Sequence, residues 1–161
     1  IQAIGPDGQK SFASGMEKKG NFHLLGGDGK ELSQGEIILC EGYATGASLH
    51  MATGKPVAVA FDSGNLLSVA EALRSRYPNA AMTICADNDH AMKRDGKPYN
   101  VGLEKARATA QAVNAKVIAP TFTREETARG LTDFNDLHQS RGLDAVRKQL
   151  GIREQSRGME R

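Results

Sequence analysis

Short apolar runs at Ile37–Cys40, Val57–Phe61, Ala81–Ala86 and Lys116–Ala119 recur along the chain, with helix-length segments between them. Runs this short and this apolar suit strands buried on both faces, the condition of a parallel sheet covered by helices. The intervening segments read as helices: one follows Cys40 through about Thr53, one spans Asn65 to Arg76, and one runs from about Val101 to Val113. In the second, Leu66, Val69, Ala70 and Leu73 fall on a single stripe. Strands alternating with helices predict an α/β fold: a doubly wound, Rossmann-like central parallel sheet of about four strands flanked by helices.

The flanks read differently. Residues 1–34 are rich in turn signals, G-P-D-G and G-G-D-G, with short strands expected near Ile1–Ile4 and Phe22–Leu25. They predict a small N-terminal β-hairpin lead-in to an α/β domain over 35–140. Residues 141–150 suit a last helix, and 151–161 a flexible tail. The start, I-Q-A-I-G-P-D-G, carries neither an initiator Met nor a targeting pattern, so the chain is expected to be a piece of a longer polypeptide.

At 161 residues the expectation is one domain with a real core. No apolar run approaches the ~18 residues of a membrane span, which sets membrane insertion aside. A net charge of +2 permits nucleic-acid binding without announcing it. Cys40 and Cys85 lack metal-ligand spacing and read as buried small hydrophobes in a reducing cytoplasm, and a zinc ribbon cannot be built from this chain.

In open parallel sheets, ligands bind beyond the carboxyl ends of the strands. The first strand ends in C-E-G and the third in A-D-N-D-H, placing Glu41, Asp87 and Asp89 at one edge. In extended backbone, residues i and i+2 share a side, so Asp87 and Asp89 are expected to aim together. Three converging carboxylates repel one another unless a cation joins them. A hard divalent ion such as Mg²⁺ takes oxygen ligands and is completed by water and substrate phosphates. In T-D-F-N-D-L, Asp133 and Asp136 offer a second, looser acidic group.

Other features carry less. Asp62 and Asn65 read as turn and capping residues. His23, His50, His90 and His138 show no ligand spacing, although His90 adjoins the acids. Gly54-Lys55 is followed by Pro56, so a phosphate-binding P-loop is not supported there.

As an ordered set, strand-Glu-Gly, strand-Asp-x-Asp and Gly-x-x-Asp-x-x-Asp-Leu resemble the TOPRIM domain of bacterial-type primases, topoisomerases and some nucleases, over about residues 35–140. The wording E-G-Y-A-T-G-A-S, A-V-A-F-D-S-G-N-L, A-D-N-D and T-D-F-N-D-L is similar to the TOPRIM primases of conjugative plasmids and phages. The resemblance implies Glu41 as the acid/base or metal-adjacent glutamate, Asp87 and Asp89 as ligands of Mg²⁺ (or Mn²⁺), and Asp133 as a fourth acid. It implies attack of a 3′-hydroxyl on the α-phosphate of a nucleoside triphosphate over a single-stranded DNA template, with a zinc-binding or helicase region elsewhere in the parent protein. Two departures stand out. Thr45 occupies the place where many replicative primases carry an aspartate, and H-A-M-K-R-D-G-K-P-Y-N-V-G replaces the basic residue and small-Gly pair that follow Asp-x-Asp there. In that segment Lys93, Arg94 and Lys97 are candidate contacts to nucleotide or template phosphate, turned about Asp95-Gly96.

The same acids suit metal-dependent cleavage of a nucleic acid, and a non-catalytic DNA-binding or interaction module remains a third reading. A topoisomerase needs a catalytic tyrosine, and no context nominates Tyr43, Tyr77 or Tyr99.

Overall fold

The computed structural model describes residues 2–7, 9–12 and 17–152; the expected tail lies outside the described residues from 153 onward. Its core is a five-stranded sheet of β3 (His23–Leu25), β5 (Val57–Val59), β4 (Glu36–Cys40), β6 (Ala81–Cys85) and β9 (Lys116–Ile118), in that order. All neighbours are parallel except β3, which adds antiparallel to β5 at one edge.

β4 lies at the centre and is buried on both faces, as its uninterrupted apolar run predicts. Ile37 and Leu39 pack with α3 (Leu66–Arg76) and α4 (Val101–Val113), through Val69, Leu73, Ala106 and Ala110. Ile38 and Cys40 pack on the other face with Leu49 of α2 (Tyr43–Thr53), Phe134 and Leu137 of α6 (Phe134–Arg141) and Val146 of α7 (Leu143–Gln149).

The chain leaves β4 through α2 on one face to β5, and reaches β6, on the other side of β4, through α3 on the opposite face. A crevice therefore opens between the carboxyl ends of β4 and β6, the topological switch point where such sheets bind ligands. Register sets its floor: Cys40 pairs with Cys85, and Cys85 with Ile118, so the loops after all three strands begin level. Both cysteines are free and buried, and burial holds both thiols well above their ordinary pKa.

The N-terminal segment departs from expectation in its pairing. The hairpin joins β1 (Gln2–Ile4) to β2 (Lys10–Phe12), while the Phe22–Leu25 strand joins the main sheet instead. G-P-D-G folds the chain back on its nearest extended segment, with Gly5 N–H donating to the Gln9 carbonyl at 2.7 Å. The open edge of β5 takes the later one. A short helix missed in the sequence, α1 (Gly29–Gln34), starts from an Asp28/Glu31 capping box, a signal that D-G-K-E carries. Similar boxes start α5 (Arg124–Ala128) from Thr123/Glu126 and α6 from Asp133/Asp136. Gly54 ends α2 in the left-handed conformation, φ 69°, which explains G-K-P without any phosphate role.

Gly46 lets α2 sit tightly on the sheet. A Cβ there would stand 2.7 Å from Val59 Cγ2 and 3.2 Å from both Cys40 Sγ and Leu25 Cδ1. Gly46→Ala is expected to destabilise the fold by about 1–3 kcal/mol, the usual cost of overpacking, seen as a lower midpoint in chemical denaturation. An unchanged midpoint contradicts the packing.

Candidate active site

Glu41 lies in the loop between β4 and α2, Asp87 and Asp89 follow β6, and Asp133 caps α6 at the same end of the sheet. Asp87 lies close enough to the other three to feel their charge. Burial first, then the charges of Glu41, Asp133 and Asp89, push the Asp87 carboxyl up to about 8. Glu41 is also raised, by burial and then by Asp89 and Asp62, although it accepts the Ser63 backbone N–H. Burial raises Asp133 against hydrogen bonds from the Asp136 and Asn135 backbones and the Thr45 side chain.

These acids are held differently. β6 ends at Cys85, so the period-two rule of a strand no longer governs Asp87 and Asp89. Asp89 Oδ2 accepts the Gly102 N–H at the start of α4, at 3.1 Å. Asp133 Oδ1 accepts the Asp136 N–H at 2.8 Å and so is committed to a helix cap. Asp87 Oδ1 is buried with no hydrogen-bond partner among the described residues.

Asn88 does more than space the two acids. Its N–H donates to the Thr132 carbonyl, its Nδ2 to the Pro120 carbonyl, and its Oδ1 accepts from Asn100. Asn100 Oδ1 in turn accepts the Asp89 N–H at 3.0 Å and caps α4 through the Leu103 N–H. His90 Nε2 meets the Leu131 carbonyl at 2.8 Å. The D-N-D-H loop is thus tied to the loops after β9 and before α4, which fixes the backbone that carries the acids. Thr45 is buried, and its side chain hydrogen-bonds Asp133.

The remaining histidines have structural partners: His50 the Lys55 carbonyl, His138 the Ser48 hydroxyl, and His23 the Tyr43 ring. Asn65 fastens the end of β5 to the 20–21 segment, donating to the Ala60 and Asn21 carbonyls and accepting from Gly20. Asp62 accepts the Asn65 N–H as a turn residue.

Lys93, Arg94 and Lys97 form an exposed hairpin of β7 (Lys93–Arg94) and β8 (Lys97–Pro98). Its turn has Asp95 at φ 50° and Gly96 at φ 75°, the two positive values a tight Asp-Gly turn needs. Arg94 lies 5.2 Å from the centroid of the Tyr99 ring.

One site residue escaped the sequence. Lys10, on β2, lies with its Nζ 3.8 Å from where a Gly42 Cβ would stand, and its charge opposes the rise of both Glu41 and Asp87. No local motif marks it; only the folding of the hairpin over the sheet edge brings it there.

The Toprim domain profile matches residues 36–144. The chain belongs to the Toprim family. It is 42% identical over 127 residues, 78% of its length, to a DNA primase TraC of Escherichia coli. It is 39% identical over 128 residues, 80% of its length, to a second protein of that name and organism. It spans 9% and 12% of the lengths of those relatives. No solved structure matches it.

Toprim domains bind divalent metal ions. The residues here fit one. The converging donors are carboxylate oxygens, they raise one another's proton affinity, and a buried oxygen of Asp87 has no partner among the described residues. Among the described residues no three acid, histidine or cysteine side chains close into a ready-made cage. No helix among the described residues is long and apolar enough to cross a membrane.

Proposed function

We propose that this Toprim domain is the catalytic domain of a DNA primase, with residues 35–140 as the catalytic unit, making RNA primers on single-stranded DNA in plasmid or phage replication or conjugation. The similarity to two primases over 78% and 80% of the chain carries the reading. The acids at the switch point supply the chemistry it needs.

Asp87 and Asp89 would hold Mg²⁺ (or Mn²⁺), with Asp133 adding negative charge behind them. The bound ion supplies stabilisation of charge on the phosphoryl oxygens and alignment of the reacting groups. Glu41, with its raised pKa, is a stronger base than an ordinary glutamate and is assigned to take the proton of the attacking 3′-hydroxyl. Lys93, Arg94 and Lys97 are assigned to phosphates of the incoming nucleotide or the template, and need only exposure and reach for that task. The setting is cytoplasmic, the partners are single-stranded DNA and nucleoside triphosphates, and a zinc-binding or helicase region elsewhere in the parent would help to engage template.

The test uses the parent protein with single-stranded DNA, ribonucleotides and Mg²⁺ or Mn²⁺. Primers form with the wild-type sequence and fall at least about a hundredfold with Glu41→Gln, the scale of a lost general base. Metal-dependent shortening of labelled DNA without nucleotides would point instead to a nuclease, and neither product to a non-catalytic module.

A further inference from the structure

The β7–β8 hairpin follows β6, so it belongs to the Asp87 and Asp89 side of the crevice. The Glu41 side carries a feature that the transfer chemistry does not use. Tyr43, two residues beyond Glu41 and the first residue of α2, is 48% exposed. Its ring centroid stands 5.7 Å from that of His23, with the planes tilted by 45°. His23 opens β3 and pairs with Val59, the last residue of β5. The two rings therefore form an aromatic platform at the carboxyl edge of the sheet, the edge that carries Glu41.

Cations border this platform. Lys10 Nζ lies 3.8 Å from where a Cβ on Gly42 would stand, and Gly42 links Glu41 to Tyr43. Lys18 pairs with Asp62 at 2.5 Å, in the loop after β5 whose Ser63 N–H reaches Glu41. Lys19 is exposed next to it, and the Gly20 N–H donates to Asn65 Oδ1 at 2.8 Å, which holds this segment against the end of β5. Lysines beside exposed aromatic faces are what an unpaired nucleic-acid strand binds: the cations follow its phosphates and the rings stack its bases. In a duplex the bases already stack on one another, so their faces are closed to such a platform. On the hairpin side the comparable ring, Tyr99, already has Arg94 at 5.2 Å from its centroid.

We infer that Tyr43, with His23 beside it, is a stacking platform for single-stranded DNA, whose phosphates run along Lys10 and Lys19 toward Glu41. The inference rests on the nucleotidyl-transfer reading and adds to it the side of the crevice along which the template enters. The β7–β8 hairpin, across the acids, is then left to the phosphates of the nucleotide.

A short labelled oligo-dT and an abasic strand of the same length carry the same phosphates, and only the first has bases. Their binding to the chain is read by fluorescence anisotropy with Mg²⁺ and no nucleotide. Oligo-dT is expected to bind about tenfold or more tightly, the scale of one stacked base. Tyr43→Ala is expected to remove that advantage and leave the abasic strand unchanged, whereas Tyr43→Phe keeps it. Lys10→Ala is expected to weaken both strands alike and to lower the salt slope by about 0.7, the share of one phosphate contact on a single strand. Equal binding of the two strands, binding of neither, equal loss of both in Tyr43→Ala, or tighter binding of duplex than of oligo-dT overturns the inference. So does an unchanged salt slope in Lys10→Ala, or loss of the advantage in Tyr99→Leu but not in Tyr43→Ala. Should Tyr43→Ala fail to fold, oligo-dT added to the wild-type chain is expected to shift the ring resonances of Tyr43 and His23 more than the abasic strand does; shifts confined elsewhere overturn it equally. Tyr43-dependent binding in a parent that makes no primers would keep the platform and discard the primase.

Discussion

Asp87→Asn is expected to end nucleotide transfer and, in the absence of metal, to make the chain more stable. The Asp87 carboxyl is raised from 3.8 to about 8 by burial and by three neighbouring acids. Between those values the folded chain keeps a proton that the unfolded chain releases. Its stability contribution is therefore fully present below about pH 4 and is lost as pH rises through about 8. The wild-type melting temperature without metal should fall from pH 5 to pH 9, and Glu41 and Asp133, also raised, should add to the slope. Asparagine keeps the shape and removes the charge. At pH 9 the variant should gain about 3 kcal/mol or more, since each tenfold difference in proton affinity between the folded and unfolded chain is worth about 1.4 kcal/mol. For a chain of this size that is about 6–12 °C. Thermal melts in a chelator from pH 5 to pH 9 measure it. A variant no more stable than wild type at pH 9 would show that the carboxylates do not repel as placed. Primer synthesis by the parent carrying the same change should be lost, the trade of stability for activity expected where function gathers like charges.

The sheet was legible because its strands are covered on both faces, so Ile37–Cys40 and Ala81–Cys85 stand out as uninterrupted apolar runs. Once strand order is granted, the level ends of β4 and β6 bring Glu41 and Asp87 together. What was not legible depends on chain that is not strand. Asp87 and Asp89 lie past the end of β6, and their different surroundings come from α4, through Gly102 and Asn100. Asp133 wears its capping role openly, in D-F-N-D, and the same residue stands near Asp87. A helix cap and a place near Asp87 are not alternatives. Lys10's place and the pairing of β3 were hidden for a shared reason: a short strand chooses among open partners by tertiary fit, and neither the G-P-D-G turn nor the H-L-L run names the partner.

The placement of Asp89 against α4 leads to the second large effect. Gly102 is the second residue of α4, and a Cβ there would stand 3.0 Å from both the Asp87 carbonyl oxygen and Asp89 Oδ2, and 3.3 Å from Asp87 Cβ. Its N–H also holds Asp89 Oδ2. Gly102→Ala must therefore push the helix start away from both acids, loosening the bond that orients Asp89. Loss of such an outer support typically weakens metal binding by about 10–100-fold. Alanine is also the better helix former by about 0.8–1.0 kcal/mol, which offsets the strain, so folding stability should change much less than affinity. Gly29→Ala in α1, where an added Cβ meets nothing within 4 Å, serves as the control for helix propensity alone. Mn²⁺ titrations by calorimetry, with melts alongside, separate the two effects. Weakened Mn²⁺ binding in Gly102→Ala with a near-native melt, and unchanged binding in Gly29→Ala, is the expected pattern. Native affinity in Gly102→Ala would mean that Asp89 does not hold the ion.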